Sequence, residues 1–143
     1  MLGSGGWIFD FALTLNTYKM SYKSLEIWRL SRDISIAVHR MTLEKLPDFE
    51  IYETGRQIRK SAKTVRSCIV EGYGRRKYKG DWIKFLVYSL SSNDETLDHL
   101  ETLFETRSLD DKDLYDKLHE MIVILGKKLN KFLQSVERQH LTG

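Results

Sequence analysis

Between Ile51 and Gly72 the small and apolar side chains recur every three or four positions: Ile51, Gly55, Ile58, Ala62, Val65, Ile69 and Gly72. That spacing follows the roughly 3.6-residue turn of an α-helix and lays one seam along one face. A half-buried strand would need alternation by two, and the stretch has none. Glycine and alanine inside a helix lower its intrinsic propensity. The predicted compensation is close approach of a neighbouring helix. The helix is predicted to begin near Phe49 to Ile51 and to end at Gly72 and Gly74, where glycine suits a left-handed cap.

Three further segments carry the same period. The first, from about Ser24 to Thr42, has Ser24 as expected N-cap and Ile27, Leu30, Ile34, Ala37 and Met41 as its stripe, widened by Leu25 and Trp28. Pro47, the only proline, disfavours helix at Leu46 and predicts a loop there. The third helix is expected from Asp81, its N-cap, to Thr106, with Ile83, Leu86, Leu90, Asn93, Leu97, Leu100 and Phe104 as its stripe. Trp82, Phe85 and Tyr88 add a second aromatic face, and Asn93 places a register-fixing polar group in the seam. After a loop from Arg107 to Asp110, the fourth helix runs from about Asp111 to Arg138 on Leu114, Leu118, Met121, Leu125, Leu129, Phe132 and Val136. Four amphipathic helices joined by short connections predict an all-α, up-down-up-down antiparallel four-helix bundle.

A chain of 143 residues fits one domain and can bury a core without disulfides or metals. The expected bundle covers residues 21–140. Residues 1–20, with an apolar patch from Trp7 to Leu15 broken by Asp10, read as a poorly ordered extension ahead of it, with Met20 as an alternative start. A rival reading docks Trp7, Phe9 and Phe11 on a neighbouring subunit. The patch lacks the leading basic residues of a secretory signal and the length of a membrane span. Cys68 is the sole cysteine, which points to a reducing, cytoplasmic setting.

The net charge is only +3, so any electrostatic role depends on where the charges sit. Arg56, Arg59, Lys60, Lys63 and Arg66 fall within an arc of roughly 120° beside the seam of the second helix. Arg75, Arg76, Lys77 and Lys79 continue it, interleaved with Tyr73 and Tyr78. Basic rows with nearby aromatics suit a phosphate backbone and unpaired bases. Arg56, Arg59, Lys60, Lys63, Arg66, Arg75 and Arg76 are therefore candidate phosphate contacts, and Tyr73 a stacking platform. A competing reading pairs this stripe with Asp94, Asp98, Glu101 and Glu105 of the third helix, within one bundle or between subunits. Pairing of unlike patches is heterologous and builds rings or filaments. The glycines of EGYGRR (Glu71 to Arg76) follow a helix and lack the ending of a phosphate loop, so they read as turn residues.

The segment QIRKSAKTVRSCIVEGYGR, Gln57 to Arg75, resembles the signature of bacterial four-helix-bundle proteins encoded in intervening sequences of 23S ribosomal RNA genes. In that family it reads approximately QIRRAA-(V)-SIPSNIAEGYGR. Leu25 to Trp28, after Tyr22, resembles the family's opening, and Phe85 to Leu103 its third helix, so the likeness extends from about Tyr22 to Phe132. Two departures stand out. Val65-Arg66 replaces an Ile-Pro step, which removes the reason for a mid-helix kink, and Cys68 replaces a usual asparagine. The resemblance implies a four-helix bundle assembled as a ring-shaped homopentamer. It also extends distantly to accessory bundle proteins of diversity-generating retroelements, which partner a reverse transcriptase and bind nucleic acid. It implies no enzymatic activity.

Catalytic signals are sparse. His39, His99, His119 and His140 are dispersed, and no paired Glu-x-x-His elements of a di-metal bundle occur, so neither metal nor cofactor is expected. Glu95 and His99 share a helix face as a surface link. Arg32 and His39 offer a remote likeness to helical ribonucleases of the HEPN type, although in the first helix rather than a late one. Cys68 has basic neighbours that would lower its pKa, against a simpler role as a small buried side chain. The sequence thus points to a non-enzymatic, homo-oligomeric bundle that binds RNA or a nucleoprotein, with a pure protein-interaction scaffold as the alternative.

Overall fold

A computed structural model of the chain describes residues 21–139. The expectations for residues 1–20, and for His140, lie outside the described residues. Four helices form the molecule: α1 (Glu26–Glu44), α2 (Thr54–Gly74), α3 (Lys79–Glu105) and α4 (Lys112–Gln139), with 3-10 turns at Tyr22–Ser24 and Asp48–Tyr52. No strand occurs among the described residues. Each helix packs on its neighbours in sequence, and α1 closes the ring on α4.

Cross-helix contacts give the directions. Ser61 meets Thr96 and Val65 meets Ser89, so α2 and α3 are antiparallel. Asn93 meets Ile122 while Glu101 meets His119, which sets α3 against α4. Glu26 pairs with Lys128 and Lys45 with Asp111, so α1 and α4 also run opposite ways. The up-down-up-down bundle follows from these pairs.

Several ends differ from the sequence expectation. Ser24 does not cap α1: its hydroxyl donates to the Ser21 carbonyl within the preceding 3-10 turn, and Leu25 holds the cap position without a side-chain bond. Residues 48–52 form a 3-10 turn after Pro47, which delays α2 to Thr54. Asp81 lies inside the first turn of α3 rather than capping it. Asp111, by contrast, accepts the Leu114 N–H at 3.0 Å and caps α4. The expected left-handed glycine cap on α2 is absent, since no described glycine has positive φ and α2 closes through Arg75 N–H to the Gly72 carbonyl. The left-handed residue is Arg107 (φ 64°), where α3 ends and Leu109 N–H returns to the Leu103 carbonyl. That return tucks Leu109 into the core as a plug at the end of the bundle.

The seam of α2 is buried as its spacing predicts, from Gly55 through Ile58, Ala62, Val65 and Ile69 to Gly72. On α3 the buried face is rotated toward Trp82, Leu86, Ser89, Asn93, Thr96, Leu100 and Leu103, while Ile83, Leu90 and Leu97 stay half-buried. The cause is polar: the Ser89 hydroxyl donates to the Val65 carbonyl at 2.9 Å and the Thr96 hydroxyl to Ser61 Oγ at 2.8 Å. Small hydroxyls that satisfy one another across the seam let two helices approach closely. On α4, Ile122 and Leu133 are buried in place of Met121 and Phe132. Asn93 does span helices, its amide donating to the Ile122 carbonyl at 3.0 Å opposite Gly126.

Gly55 and Gly72 are hemmed in by different neighbours. A Cβ on Gly55 would strike the Glu50 carbonyl of the adjoining turn, not a neighbouring helix. One on Gly72 would lie 2.6 Å from the Trp82 ring and 2.8 Å from Phe85 Cβ on α3, which is the predicted close approach. Replacing Gly72 with alanine is expected to lower unfolding free energy by about 1–3 kcal/mol through overpacking, measured by urea denaturation; an unchanged midpoint would contradict it.

Candidate nucleic-acid interface

Successive residues of a helix advance by about 100°, so the basic arc of α2 is a set of directions, not one surface. Its edge nearest α1 holds Arg59 and Arg66, its crest Arg56 and Lys63, and its edge nearest α3 Lys60. The bundle uses these edges differently.

Arg59 turns inward. Its guanidinium donates to the Thr42 hydroxyl at 3.0 Å and to the Ile51 carbonyl at 2.7 Å, joining α1, the 3-10 turn and α2. Beside it Glu50 is only 5% exposed, yet its carboxylate accepts the Thr54 N–H at 3.3 Å and the Ser108 O–H at 2.6 Å. An anion is favourable at that helix N-terminus, and it ties the α3–α4 loop to α2. The sequence reading missed Glu50; its only local signal is an acid just ahead of the helix. Arg66 is half-buried over the Trp28 ring, 5.3 Å from its centre. Arg56, Lys60 and Lys63 remain exposed, with no ion pair among the described residues.

At the α2–α3 turn the predicted residues are organised by the aromatic rings. Arg75 pairs with Glu71 at 2.9 Å and Asp81 at 3.5 Å, and the Glu71 bond holds its pKa above the usual value. Arg76 lies 3.9 Å above the half-buried Tyr73 ring and donates to the Tyr73 carbonyl at 2.9 Å. Tyr73 also meets Trp82 edge-on at 6.2 Å, and Trp82 meets Phe132 at 5.5 Å. Tyr73 therefore already carries Arg76 on a face, and the more exposed ring at this turn is Tyr78, 63% exposed, with the Lys77 ammonium 5.8 Å from its centre. Lys79, expected to extend the basic row, instead donates to the Glu137 carbonyl at 3.1 Å.

The acidic stripe of α3 does not pair with the basic row inside the described chain. Glu101 meets His119 of α4 at 2.9 Å, while Asp94, Asp98 and Glu105 are exposed. Glu95 and His99 form the expected link at 3.4 Å. Arg32 pairs with its neighbour Asp33 at 3.6 Å, two turns from His39. Among the described residues no three His, Cys, Asp or Glu gather as metal ligands. No described helix is long and apolar enough to cross a membrane.

A family model for the 23S rRNA-intervening sequence protein matches residues 23–131. The chain belongs to that family. No curated protein matches it. Among solved structures it is similar to a protein of unknown function from the S23 ribosomal protein family of Bacteroides thetaiotaomicron. The TM-score is 0.66 at 17% identity, over 76% of this chain and 95% of that one. At that identity the likeness speaks for the fold. In this member of the 23S rRNA-intervening sequence family α2 runs as one helix through Val65 and Arg66, as the missing proline predicts.

Of the two readings of Cys68, the half-buried side chain fits the small packing role and not the activated thiol. Burial, and then the Glu71 charge, push its thiol pKa up, not down. The thiolate is therefore scarcer at neutral pH than on a free thiol, and the ordinary reactive species is the thiolate. Alkylation of Cys68 at neutral pH should be slower than that of a free thiol and should keep accelerating beyond its ordinary titration range. A rate matching the free thiol would refute this. Arg59→Ala should lower unfolding free energy by about 1–3 kcal/mol, because it strands the Thr42 and Ile51 acceptors; thermal or urea unfolding measures it.

Proposed function

We propose that this member of the 23S rRNA-intervening sequence family is a non-enzymatic, homo-oligomeric accessory protein that binds single-stranded or loop RNA, bare or in a nucleoprotein, along the crest of α2. The observation that carries the reading is the exposed row Arg56, Lys60 and Lys63, which engages no carboxylate among the described residues. Unpaired cations at this spacing neutralise phosphates and release counterions on binding. Arg75 and Arg76 flank the row at the α2–α3 turn, oriented by Glu71, Asp81 and Tyr73. A bacterial cytoplasmic setting and a ring of five copies are parts of the same proposal, taken from the family resemblance and the lone cysteine.

Fluorescence anisotropy of labelled RNA across a salt series tests it. Log affinity should fall with log salt by about 0.7 per neutralised phosphate, and Lys63→Ala should remove about one such increment. Absence of binding at low salt by protein of verified mass would overturn the reading. One observation favours the scaffold alternative. Asp94 and Asp98 are exposed and unpaired, so the basic and acidic stripes remain available to meet between copies. Under that alternative, raising salt dissociates the oligomer and RNA does not bind.

A further inference from the structure

Beside the exposed row, α2 and α3 part to leave a cleft of about 540 Å³. Its α2 wall carries Gln57, Lys60 and Thr64, its α3 wall Ser92, Glu95 and His99, and Ser61 lies between them. Every lining side chain is polar, although sites of roughly 300–1,000 Å³ are usually lined mostly by apolar groups. The space exists because Ser61, Thr64 and Ser92 are short, while the Thr96–Ser61 hydroxyl bond draws the helices together beneath.

The hydrogen-bonding capacity of the cleft divides by wall. Ser61 has its one proton committed to the Ile58 carbonyl at 3.2 Å and accepts from Thr96. Thr64 donates back to the Lys60 carbonyl at 2.8 Å. What remains is a cation and an amide on the α2 wall, and on the α3 wall a hydroxyl and a carboxylate that His99 holds at 3.4 Å. Lys60 makes no ion pair with Glu95 across the space. A ligand that suits both walls has an anionic end for Lys60 and a neutral, hydroxyl-bearing end for Glu95 and Ser92. A bare phosphate would be repelled by Glu95, and a neutral sugar would leave Lys60 unused.

We propose that the cleft receives one ribonucleotide of the bound strand, its phosphate against Lys60 and its 2′-hydroxyl donating to Glu95 beside Ser92. This rests on the RNA reading above and adds to it a means of telling RNA from DNA, because the 2′-hydroxyl is the group that distinguishes them. A 2′-deoxy strand forgoes the added hydrogen bond to the Glu95 carboxylate, which keeps only His99, and a 2′-O-methyl strand offers bulk but no proton.

The test titrates the full chain with one labelled sequence as RNA, as its 2′-deoxy form and as its 2′-O-methyl form. RNA should bind about tenfold more tightly than either analogue, the scale of one hydrogen bond to a charged group. Glu95→Ala, at an exposed position that leaves the core intact, should abolish that preference. Ser92→Leu should weaken RNA more than the deoxy strand by filling the cleft. Equal affinity for all three strands, with a salt slope of several phosphates, would overturn this inference alone and leave the RNA reading standing. A preference that survives Glu95→Ala would overturn it as well. Loss of binding to every strand would refute both together.

Discussion

The contact on which the molecule depends is the seam between α2 and α3. Gly72 allows the Trp82 ring to lie against the backbone of α2. About two and three turns back along α2, Ser89 reaches the Val65 carbonyl and Thr96 reaches Ser61, so the buried hydroxyls are satisfied across the interface. Buried polar groups are costly only when unpaired, and here their partners also set the vertical register of the two helices. The remaining helices pack around this pair, and the thinner α1–α4 contact closes the bundle with ion pairs at Glu26–Lys128 and Lys45–Asp111.

The two ends of the bundle are closed by different chemistry. At the α2 N-terminus, Glu50 and Arg59 act as cross-links: one accepts from Thr54 and Ser108, the other donates to Thr42 and Ile51, and Leu46 and Leu109 seal the apolar core beside them. At the opposite end the closure is aromatic, running from Tyr73 through Trp82 to Phe132, with Tyr22 against Trp28 alongside. Arg66 and Arg76 lie over Trp28 and Tyr73. Guanidinium groups are weakly hydrated and stack well on rings, so arginine at these positions serves packing as well as charge. That division explains why the lysines, Lys60 and Lys63, are left to solvent while two of the five basic residues within α2 are not.

Charge on the two central helices is also divided. The basic crest belongs to α2 and the acidic stripe to α3, and each lies outside its own helix's buried seam. Surface ion pairs contribute little to stability. Leaving the basic crest and Asp94, Asp98 and Glu105 unpaired therefore costs the fold little and keeps both charges open to solvent.

The sequence by itself determined the number of helices, their approximate extents and the apolar seam of α2 from Gly55 to Gly72, because a period of three and four is a local property of helical geometry. It missed Ser61, a polar residue buried beside that seam, and counted Ile51, which the 3-10 turn leaves half-buried. It also determined the width of the basic arc and the continuity of α2 through Val65 and Arg66. It misjudged α3 and α4 by part of a turn, since Ile83 and Trp82, or Met121 and Ile122, are equally apolar neighbours and only the packing partner chooses between them. It misplaced caps at Ser24, Asp81 and the glycines of α2, because the backbone on the far side of each end decides whether a capping residue is needed. Which edge of the basic arc faces α1 and which faces α3 follows from the handedness of the bundle, which no single helix records. The tertiary structure alone therefore turned Arg59 inward, left Arg56, Lys60 and Lys63 outside, and set Lys60 across a cleft from Glu95. Those residues are distant in sequence and meet only because two antiparallel helices share one register.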